Sequence, residues 1–359
     1  MVAVLLLNAL SLPLIDSATH GSQDHYWMKK QAVLVLISIV VLLLGTFVDY
    51  SDLVNLAPWF YAATVALLVA VFFVGKTVDG ATRWIPLPFF DLQPSEVAKV
   101  VMILFSARII SRSEAPPETL WDVISYYAWT LVPLLLILKQ PDLGTALAAA
   151  ATTTGVLYFS GTSGKIVFKF GALCAAVVAT MVLLHIYAGL PLPLDEYQVD
   201  RLVSLFQANE DPLGRGYQVI QSKIAIGSGT IWGKGLGRGT QNRLGFIPKQ
   251  YTDFVFSVVG EELGFVGSMV VLGVYALILF RCLLAALGAP DREGTMVAGG
   301  VLAMFAFHLM VNLGMTMGIM PVTGVTLPFL SYGGSSLMVN SFAVGLVLNV
   351  GWKRHKILF

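Results

Sequence analysis

Ten mainly apolar segments divide the chain, and they constrain its fold more than any other feature of the sequence. A helix needs roughly 20 mainly apolar residues to cross a bilayer, because each residue adds only about 1.5 Å of length. The segments lie at about 2–16, 31–48, 58–76, 96–111, 124–139, 143–160, 166–187, 254–280, 297–319 and 334–352. The sequence therefore predicts an all-α polytopic membrane protein with about ten transmembrane helices.

Composition agrees with this fold class. Of the 359 residues, 57% are hydrophobic and 12% are charged, whereas soluble domains average about 25% charged residues. The net charge of +1 argues against nucleic acid as a partner. Two cysteines and five scattered histidines predict neither a disulfide framework nor a metal site. We interpret residues 1–359 as a single integral membrane domain, with residues 188–253 as one large loop within it.

The distribution of Lys and Arg predicts the orientation of the chain, because short cytoplasmic loops carry an excess of both. With the termini inside, the inner short segments hold nine such residues: Arg108, Arg112, Lys165, Lys169, Arg281, Arg292, Lys353, Arg354 and Lys356. The outer short segments then hold five: Lys29, Lys30, Lys76, Arg83 and Lys139. We therefore expect both termini in the cytoplasm and the loop 188–253 outside.

Three acidic residues lie at the start of the eighth apolar segment. Asp253 is at its entrance, and Glu261 and Glu262 lie well inside it. Ionisable groups in lipid are costly and usually serve function. On a continuous helix Asp253 and Glu261 would open onto one cavity, while Glu262 would face another helix. The alternatives are a helix N-terminal charge for Asp253 and structural pairing for the two glutamates.

Two other places combine polar residues with an apolar span. Glu96 and Lys99 are three residues apart on one helical face, where they form either a structural ion pair or the lining of an outward cavity for an anionic head group. Asp142 is interpreted as the cap of the next helix. Residues 319–336 contain two prolines, three glycines and several hydroxyls at membrane depth. Irregular backbone is tolerated there only where protein or a watery cavity covers it, which indicates either a site or a packed loop.

The large loop contains a glycine-rich stretch and seven basic residues. Six glycines in the thirteen positions 227–239 exclude a long regular helix there. Isoleucine, leucine and tryptophan in the same stretch predict that it lies against the bilayer surface. The basic residues are Arg201, Arg215, Lys223, Lys234, Arg238, Arg243 and Lys249.

Several motifs, in order along nearly the whole chain, together resemble the SEDS family (shape, elongation, division, sporulation). They are Gln93-Pro-Ser-Glu96, Gln140-Pro-Asp-Leu-Gly-Thr145, Gly216-Tyr-Gln218, Ala225-Ile-Gly-Ser-Gly229, Tyr251-Thr-Asp-Phe254, Glu261-Glu-Leu-Gly-Phe265 and Pro328-Phe-Leu-Ser-Tyr-Gly-Gly-Ser-Ser336. The run Pro321-Val-Thr-Gly324 is more similar to the elongation branch than to the division branch. Tyr251 and Thr230 depart from the histidine and glycine that are frequent in the family.

The resemblance implies a peptidoglycan glycosyltransferase of the bacterial cytoplasmic membrane with ten membrane helices, acting at the outer face. It implies lipid II, a disaccharide-pentapeptide on undecaprenyl pyrophosphate, as substrate and a class B penicillin-binding protein as partner. The family's catalytic aspartate corresponds to Asp253. We expect direct displacement with inversion, with Asp253 as the general base.

The leaving pyrophosphate requires positive charge, and other polar groups must bind the substrate. The candidate substrate-binding residues are Lys99, Glu96, Arg83, Arg201, Arg215, Lys234, Arg238, Glu261, Ser331 and Ser335. The sequence indicates no cofactor, and a divalent cation that shares the stabilisation of pyrophosphate is left open.

Three alternative functions remain open from the sequence: a lipid II flippase, a division-type polymerase of the same family, and an inactive scaffold that recruits a synthase. Intramembrane charges and broken backbone are typical of transporters. For the partner, we expect a membrane helix to pack against the eighth and ninth spans near Gly264, Gly267, Gly299 and Gly300, where small residues permit close approach.

The orientation is tested by labelling single cysteines in a variant that lacks Cys174 and Cys282. We expect Gln207→Cys to react with a membrane-impermeant thiol reagent in intact cells, because the large loop is predicted to lie outside. His355→Cys should react only after the cells are opened. The reverse labelling pattern would contradict the predicted orientation.

Overall fold

The computed structural model describes residues 1–19, 23–78, 81–87, 90–113, 115–188 and 216–353. Within these ranges the chain forms twelve α-helices: α1 (Val2–Ala18), α2 (Tyr26–Phe47), α3 (Tyr50–Val74), α4 (Pro94–Ser111), α5 (Leu120–Lys139), α6 (Leu143–Phe159), α7 (Gly164–Ala188), α8 (Tyr217–Ser228), α9 (Thr240–Arg243), α10 (Val255–Leu287), α11 (Arg292–Thr316) and α12 (Gly334–Lys353). Between α3 and α4, the strands β1 (Lys76–Val78), β2 (Ala81–Pro86) and β3 (Asp91–Leu92) form a small antiparallel sheet in the order β1–β2–β3.

Each of the ten predicted apolar segments forms a helix, and the predicted fold class is confirmed. Among the described residues, seven helices are long and apolar enough to cross a membrane: α2, α3, α5, α7, α10, α11 and α12. The apolar helices α1 and α6 are shorter, with 17 residues each. Helix α4 has 18 residues but contains Glu96, Lys99 and Arg108. Among the described residues, the small sheet and a 3-10 turn at Gln23–His25 are elements that the sequence did not predict.

Helix α4 is the central element of the bundle. It packs against α3, α6 and α11, and 14 of its 18 residues are buried. A charged side chain on a largely buried helix needs partners from its neighbours, because burying an unpaired charge is very costly. The buried Glu96 and Lys99 have such partners inside the bundle, and they mark the position of the site described below.

Glycines allow helices to approach closely at the centre of the bundle, and they correct the predicted partner surface. A Cβ built on Gly299 would lie 2.2 Å from the Phe159 ring, and one on Gly300 would lie 2.7 Å from Val156. Both glycines thus pack against α6 inside this chain. Gly264 is also buried. The prediction that these three glycines receive a partner's helix is wrong, because helices and loops of the same chain already occupy the space; Gly267 remains half-buried.

The sheet is fixed to the turn between α5 and α6 by one arginine on β2. The Arg83 Nε donates to the Gln140 carbonyl oxygen at 2.9 Å, and a terminal guanidinium nitrogen donates to the Pro141 carbonyl oxygen. These carbonyls follow the end of α5, where helical partners are missing. The contact holds the sheet over one end of the bundle, beside the start of α4.

Helix α10 is broken at Gly264, where φ is 68° and ψ is −165°. The glycine-rich segment 229–239 inserts at this break. The amides of Lys234 and Gly235 donate to the carbonyl oxygens of Glu261 and Glu262 at 3.1 and 2.9 Å. In return, the amides of Phe265 and Val266 donate to the carbonyl oxygens of Thr230 and Ile231 at 2.9 and 3.1 Å. The backbone groups freed by the break are thus paired, as an apolar environment requires.

The apolar side chains of the glycine-rich segment are exposed, as the sequence analysis expected of a stretch at the bilayer surface. Ile231, Trp232 and Leu236 are 59%, 78% and 48% exposed. Their contact with the bilayer surface stays a prediction.

We expect Gly264→Ala to destabilise the protein strongly. The backbone there is in a region open almost only to glycine, which costs other residues about 1–3 kcal/mol. In addition, a Cβ would lie 2.2 Å from the Gly233 amide nitrogen. Gly273→Ala in the same helix is the matched control, because a Cβ there meets no atom within 4 Å. Thermal unfolding in detergent measures both, and equal melting temperatures would show that the break does not depend on glycine.

Candidate active site

A polar cavity of about 300 Å³ opens at the end of the bundle that carries the sheet. Its walls come from α2, β2, the start of α4, the start of α6, the turn before α10, and the loop between α11 and α12. The ionisable residues that line it are Lys30, Arg83, Asp91, Glu96, Asp142, Lys249, Asp253 and His308. A cavity with several convergent ionisable groups is the expected form of an active site.

Asp253 lines this cavity from a turn, not from a helix. The amides of Thr252 and Asp253 both donate to the Lys249 carbonyl oxygen at 3.1 Å, and α10 begins only at Val255. The geometry calculated for a continuous helix through Asp253 and Glu261 therefore does not apply. On this turn Asp253 lines the cavity, while Glu261, fully buried on α10, lies in a different environment.

Three consecutive backbone carbonyls fix this turn to the rest of the bundle. The Tyr332 amide donates to the Tyr251 carbonyl oxygen at 2.9 Å. The Ser331 hydroxyl donates to the Thr252 carbonyl oxygen at 2.5 Å. The Asn312 side-chain amide donates to the Asp253 carbonyl oxygen at 2.9 Å. Asn312 is fully buried on α11 and also donates to the Val325 carbonyl oxygen at 2.8 Å. A carboxylate held on so constrained a backbone is positioned before any substrate binds.

A buried ion pair forms the floor of the cavity. The Lys99 ammonium is fully buried, and it donates to the Glu96 carboxylate at 3.0 Å and to the His308 Nε2 at 2.8 Å. The His308 Nδ1 lies 3.0 Å from the Thr326 carbonyl oxygen. Since a carbonyl only accepts, Nδ1 donates to it and Nε2 accepts from Lys99. Glu96 and His308 line the cavity, whereas Lys99 lies one layer deeper.

A second polar group stands on the opposite side, around Asp142. The Asp142 carboxylate accepts from the Thr145 amide at 3.2 Å, so the predicted helix cap is present. It also accepts from the Gln93 side chain at 2.9 Å and lies 3.7 Å from the Arg83 guanidinium. Arg83 and Asp142 both line the cavity, although the guanidinium is mostly committed to protein partners.

The two predicted serines have different positions. Ser335 lines the cavity, where its hydroxyl donates to the Asp91 carbonyl oxygen at 2.7 Å and accepts from the Gln93 amide at 2.9 Å. Ser331 is buried away from the lining, and its hydroxyl accepts from the Leu327 amide while donating to Thr252. The structure therefore places Ser331 as a support of the Asp253 turn.

Glu261 and Glu262 brace the glycine-rich segment outside the cavity. Glu261 is fully buried; it pairs with the Lys234 ammonium at 2.7 Å and accepts from the amides of Gln241 and Asn242. Glu262 accepts from the Gly237 amide at 3.0 Å, from the Asn242 side chain, and from Ser17 on α1. Glu262 thus faces another helix, as predicted, but the structure does not bring Glu261 or Lys234 to Asp253.

Of the remaining predicted basic residues, the structure describes Arg238, and Arg238 does not line the cavity. Arg238 lies in the glycine-rich segment, close to Gly235. Arg201 and Arg215 lie outside the described residues. Within the described ranges, no three His, Cys, Asp or Glu side chains are grouped so as to hold a metal ion. The involvement of a divalent cation stays open.

Sequence reasoning missed several residues of the site. The histidines lack metal-ligand spacing, so the sequence offers no metal-site reason to choose His308. An ionisable side chain in the middle of an apolar helix nevertheless indicates a functional residue. Asn312 lies four residues further along α11, and a polar side chain in an apolar helix is a weaker indication of the same kind. Lys30, Lys249 and Asp91 could not be found this way, because loops and helix ends normally contain charges.

An apolar groove of about 290 Å³ adjoins the polar cavity. Helices α2, α3, α4 and α12 form it, and Phe90 and Ser335 line both spaces. Apart from Ser335, the groove's described lining is entirely hydrophobic, with Val100, Leu104 and Phe342 among its residues. The structure thus joins a polar compartment to an apolar one at the side of the bundle.

Comparison with known proteins gives a consistent result. The family described as FtsW/RodA/SpoVE cell cycle proteins matches residues 1–356. Peptidoglycan glycosyltransferase MrdB of Escherichia coli (strain K12) is 37% identical over 350 residues, which cover 98% of this chain and 91% of that protein.

Two solved structures have the same fold. One chain, from a structure described as the coordination of polymerization and crosslinking by a peptidoglycan synthase complex, superposes with a TM-score of 0.80 at 34% identity and covers 99% of this chain and 97% of that one. The rod shape determining protein RodA of Thermus thermophilus superposes with a TM-score of 0.70 at 30% identity, covering 98% and 95%. The chain therefore belongs to the FtsW/RodA/SpoVE family of cell cycle proteins, which is the SEDS family that its motifs resemble.

Proposed function

We propose that this protein is a peptidoglycan glycosyltransferase that polymerises lipid II at the outer face of the cytoplasmic membrane, in the elongation of the cell wall. The observation that carries this proposal is the polar cavity, with the Asp253 carboxylate in its wall, joined to an apolar groove at the side of the bundle. A substrate with a sugar-pyrophosphate head and a long hydrocarbon tail requires both compartments at once. A relative that covers nearly the whole chain is a named peptidoglycan glycosyltransferase.

Asp253 is the general base in the proposed reaction. Its carboxylate takes the proton from a sugar hydroxyl as that oxygen attacks the anomeric carbon of a second lipid-linked sugar. The bond from this carbon to the pyrophosphate oxygen breaks, and the lipid pyrophosphate leaves with the bonding electrons. A single carboxylate acting on an attacking hydroxyl favours one displacement with inversion. The clamped turn keeps the base in place without reorganisation.

Cations around the cavity stabilise the leaving pyrophosphate. Lys30, Arg83 and Lys249 line the same space as Asp253. Charge that develops on the leaving group is stabilised most by donors that are already in position, because no reorganisation is then needed. Lys99 acts through its contacts with Glu96 and His308, which line the cavity above it. Ser335 and Glu96 contribute polar contacts to the head group.

The residues outside the cavity have supporting roles in this proposal. Glu261 and Lys234 hold the glycine-rich segment, in which Arg238 also lies, against α10, and Ser331 holds the Asp253 turn. Arg201 and Arg215 remain predicted substrate contacts on the large loop. A divalent cation that shares the charge of the pyrophosphate remains open.

We further propose that both termini are cytoplasmic, that residues 188–253 form the large outer loop, and that the partner is a class B penicillin-binding protein. The positive-residue bias supports the orientation. A solved structure of a peptidoglycan synthase complex that coordinates polymerization and crosslinking contains a chain with the present fold, which supports a crosslinking partner. The exposed face of α10 around Gly267, with Phe265 and Val270 each 62% exposed, offers the partner's helix a surface.

We expect Asp253→Asn to lower polymer formation from lipid II in detergent by about 10²–10⁴-fold, the usual contribution of general-base assistance. The variant keeps the size of the side chain and should still bind lipid II. Detergent has no compartments, so polymer from the unchanged protein also separates an enzyme from a flippase or a scaffold.

Glu262→Gln is the control for this experiment. Compared with Asp253→Asn, this substitution should lower polymer formation less and the stability of the fold more, because Glu262 packs between α1 and the glycine-rich segment. Near-normal polymer formation by Asp253→Asn would show that another carboxylate of the cavity, such as Asp91 or Glu96, is the base.

We expect Lys99→Ala to impair polymer formation much more than Arg112→Ala. Loss of one partner of a buried pair typically costs about 3–5 kcal/mol, because the other charge stays buried. Arg112 is exposed at the end of α4, where a charge is worth about 0–1 kcal/mol. Polymer yield and thermal unfolding are measured together. Equal polymer yields from both variants, at normal expression, would show that Lys99 is dispensable.

A further inference from the structure

Three aromatic rings from separate parts of the chain meet at the wall of the polar cavity. They are Trp27 at the start of α2, Tyr251 in the turn before α10, and Tyr332 in the loop before α12. Their ring centroids are 5.6 Å apart for Trp27 and Tyr251, 5.1 Å for Trp27 and Tyr332, and 5.8 Å for the two tyrosines. All three side chains are half-buried, so the cluster has one covered side and one accessible side.

The accessible side faces the space that Asp253 lines. Tyr251 and Tyr332 both belong to the lining of the polar cavity, while Trp27 packs behind them. Tyr251 is two residues before Asp253 on the clamped turn, and its carbonyl oxygen accepts from the Tyr332 amide at 2.9 Å. The two rings therefore keep a fixed position relative to the carboxylate.

The surroundings of these rings are polar and cationic. Lys30 also lines the cavity, and its ammonium lies 5.8 Å from the centroid of the Trp27 ring, within cation–π distance. The wall thus places two aromatic rings beside a cation and beside the polar groups of the cavity.

A pyranose ring has complementary chemistry. Its axial C–H groups form an apolar face that stacks on the electron-rich face of an aromatic ring, and its rim of hydroxyls requires donors and acceptors. An alkyl chain would bring no polar group to the charged side chains around the rings, and a pyrophosphate would gain nothing from the rings. Sugar is therefore the part of a lipid-linked saccharide that this wall fits best.

We propose that Tyr251 and Tyr332, backed by Trp27, form the subsite for the hexose ring that carries the attacking hydroxyl. The inference rests on the proposed function, since it assigns a part of that substrate to a part of that cavity. A ring stacked here lies beside the Asp253 carboxylate, where its hydroxyl can deliver a proton to the base. The subsite places the acceptor, whereas the Lys30, Arg83 and Lys249 cations hold the donor's pyrophosphate.

The test combines binding and kinetics on the purified full chain in detergent. Binding of a β-1,4-linked N-acetylglucosamine tetramer is measured by saturation-transfer NMR, and kcat and KM are measured for polymerisation of lipid II. The variants are Tyr251→Leu, Tyr251→Phe, Tyr332→Leu and Tyr332→Phe. Tyr158→Leu is the matched control, because Tyr158 is 55% exposed on α6 and does not line the cavity.

We expect both leucine variants to raise the Kd of the tetramer and the KM of lipid II by about three- to tenfold, the worth of one aromatic contact. The phenylalanine variants retain the ring and should stay within about twofold of the unchanged protein, as should Tyr158→Leu. Asp253→Asn should lose turnover while it retains tetramer binding, because the wall is intact.

Three outcomes would overturn the subsite. The first is that the unchanged protein shows no saturation transfer to the tetramer. The second is that the leucine variants fold and keep the Kd of the tetramer and the KM of lipid II unchanged. The third is that the phenylalanine variants raise both constants as much as the leucine variants do. A protein that binds the tetramer but forms no polymer would instead contradict the proposed function.

Discussion

The pairing of Lys99 with Glu96 and His308 inside the bundle is the interaction on which the rest of the site depends. An unpaired charge is very costly away from water, so α4 can hold Lys99 at its centre only because α11 supplies His308 and the same helix supplies Glu96. This requirement fixes the register of α4 against α11. His308 also donates to the Thr326 carbonyl oxygen. The same histidine therefore fixes the irregular loop between α11 and α12 that closes the cavity.

The same rule explains the second unusual feature, the interruption of α10. A break in a membrane helix frees backbone groups, and each must find a partner within the protein. Here the glycine-rich segment supplies those partners, and it can approach because Gly233 and Gly264 have no side chains in the contact. Glu261 and Glu262 then anchor the segment from the broken helix. The two buried acids of α10 are thus mainly architectural, while Asp253, outside the helix, lines the cavity.

Function follows from the junction of two environments. The polar cavity and the apolar groove share Phe90 and Ser335, so a molecule with a polar head and a lipid tail can occupy both without leaving the bundle. Within the polar part, the backbone clamp from Asn312, Ser331 and Tyr332 fixes the turn that carries the base and one of the aromatic rings. The stability of the loop between α11 and α12 is therefore coupled to the geometry of the proposed reaction.

The sequence by itself determined the membrane fold, the ten helical segments and the spacing that lets Glu96 pair with Lys99, and a family motif led to the proposal of Asp253 as the base. Those features depend on local composition, on helical spacing or on a motif, each of which involves residues that are close together in the sequence. Only the tertiary structure decided that Glu261 and Lys234 lie away from Asp253, that Ser331 supports the turn, and that Gly299 and Gly300 are covered by α6. It also brought His308, Tyr251 and Tyr332 to the cavity wall, and it placed Trp27 against the two tyrosines and Asn312 against the Asp253 turn. These outcomes depend on contacts between residues far apart in the chain, whose partners are chosen by packing and by the need to pair buried polar groups, and no local pattern encodes that choice.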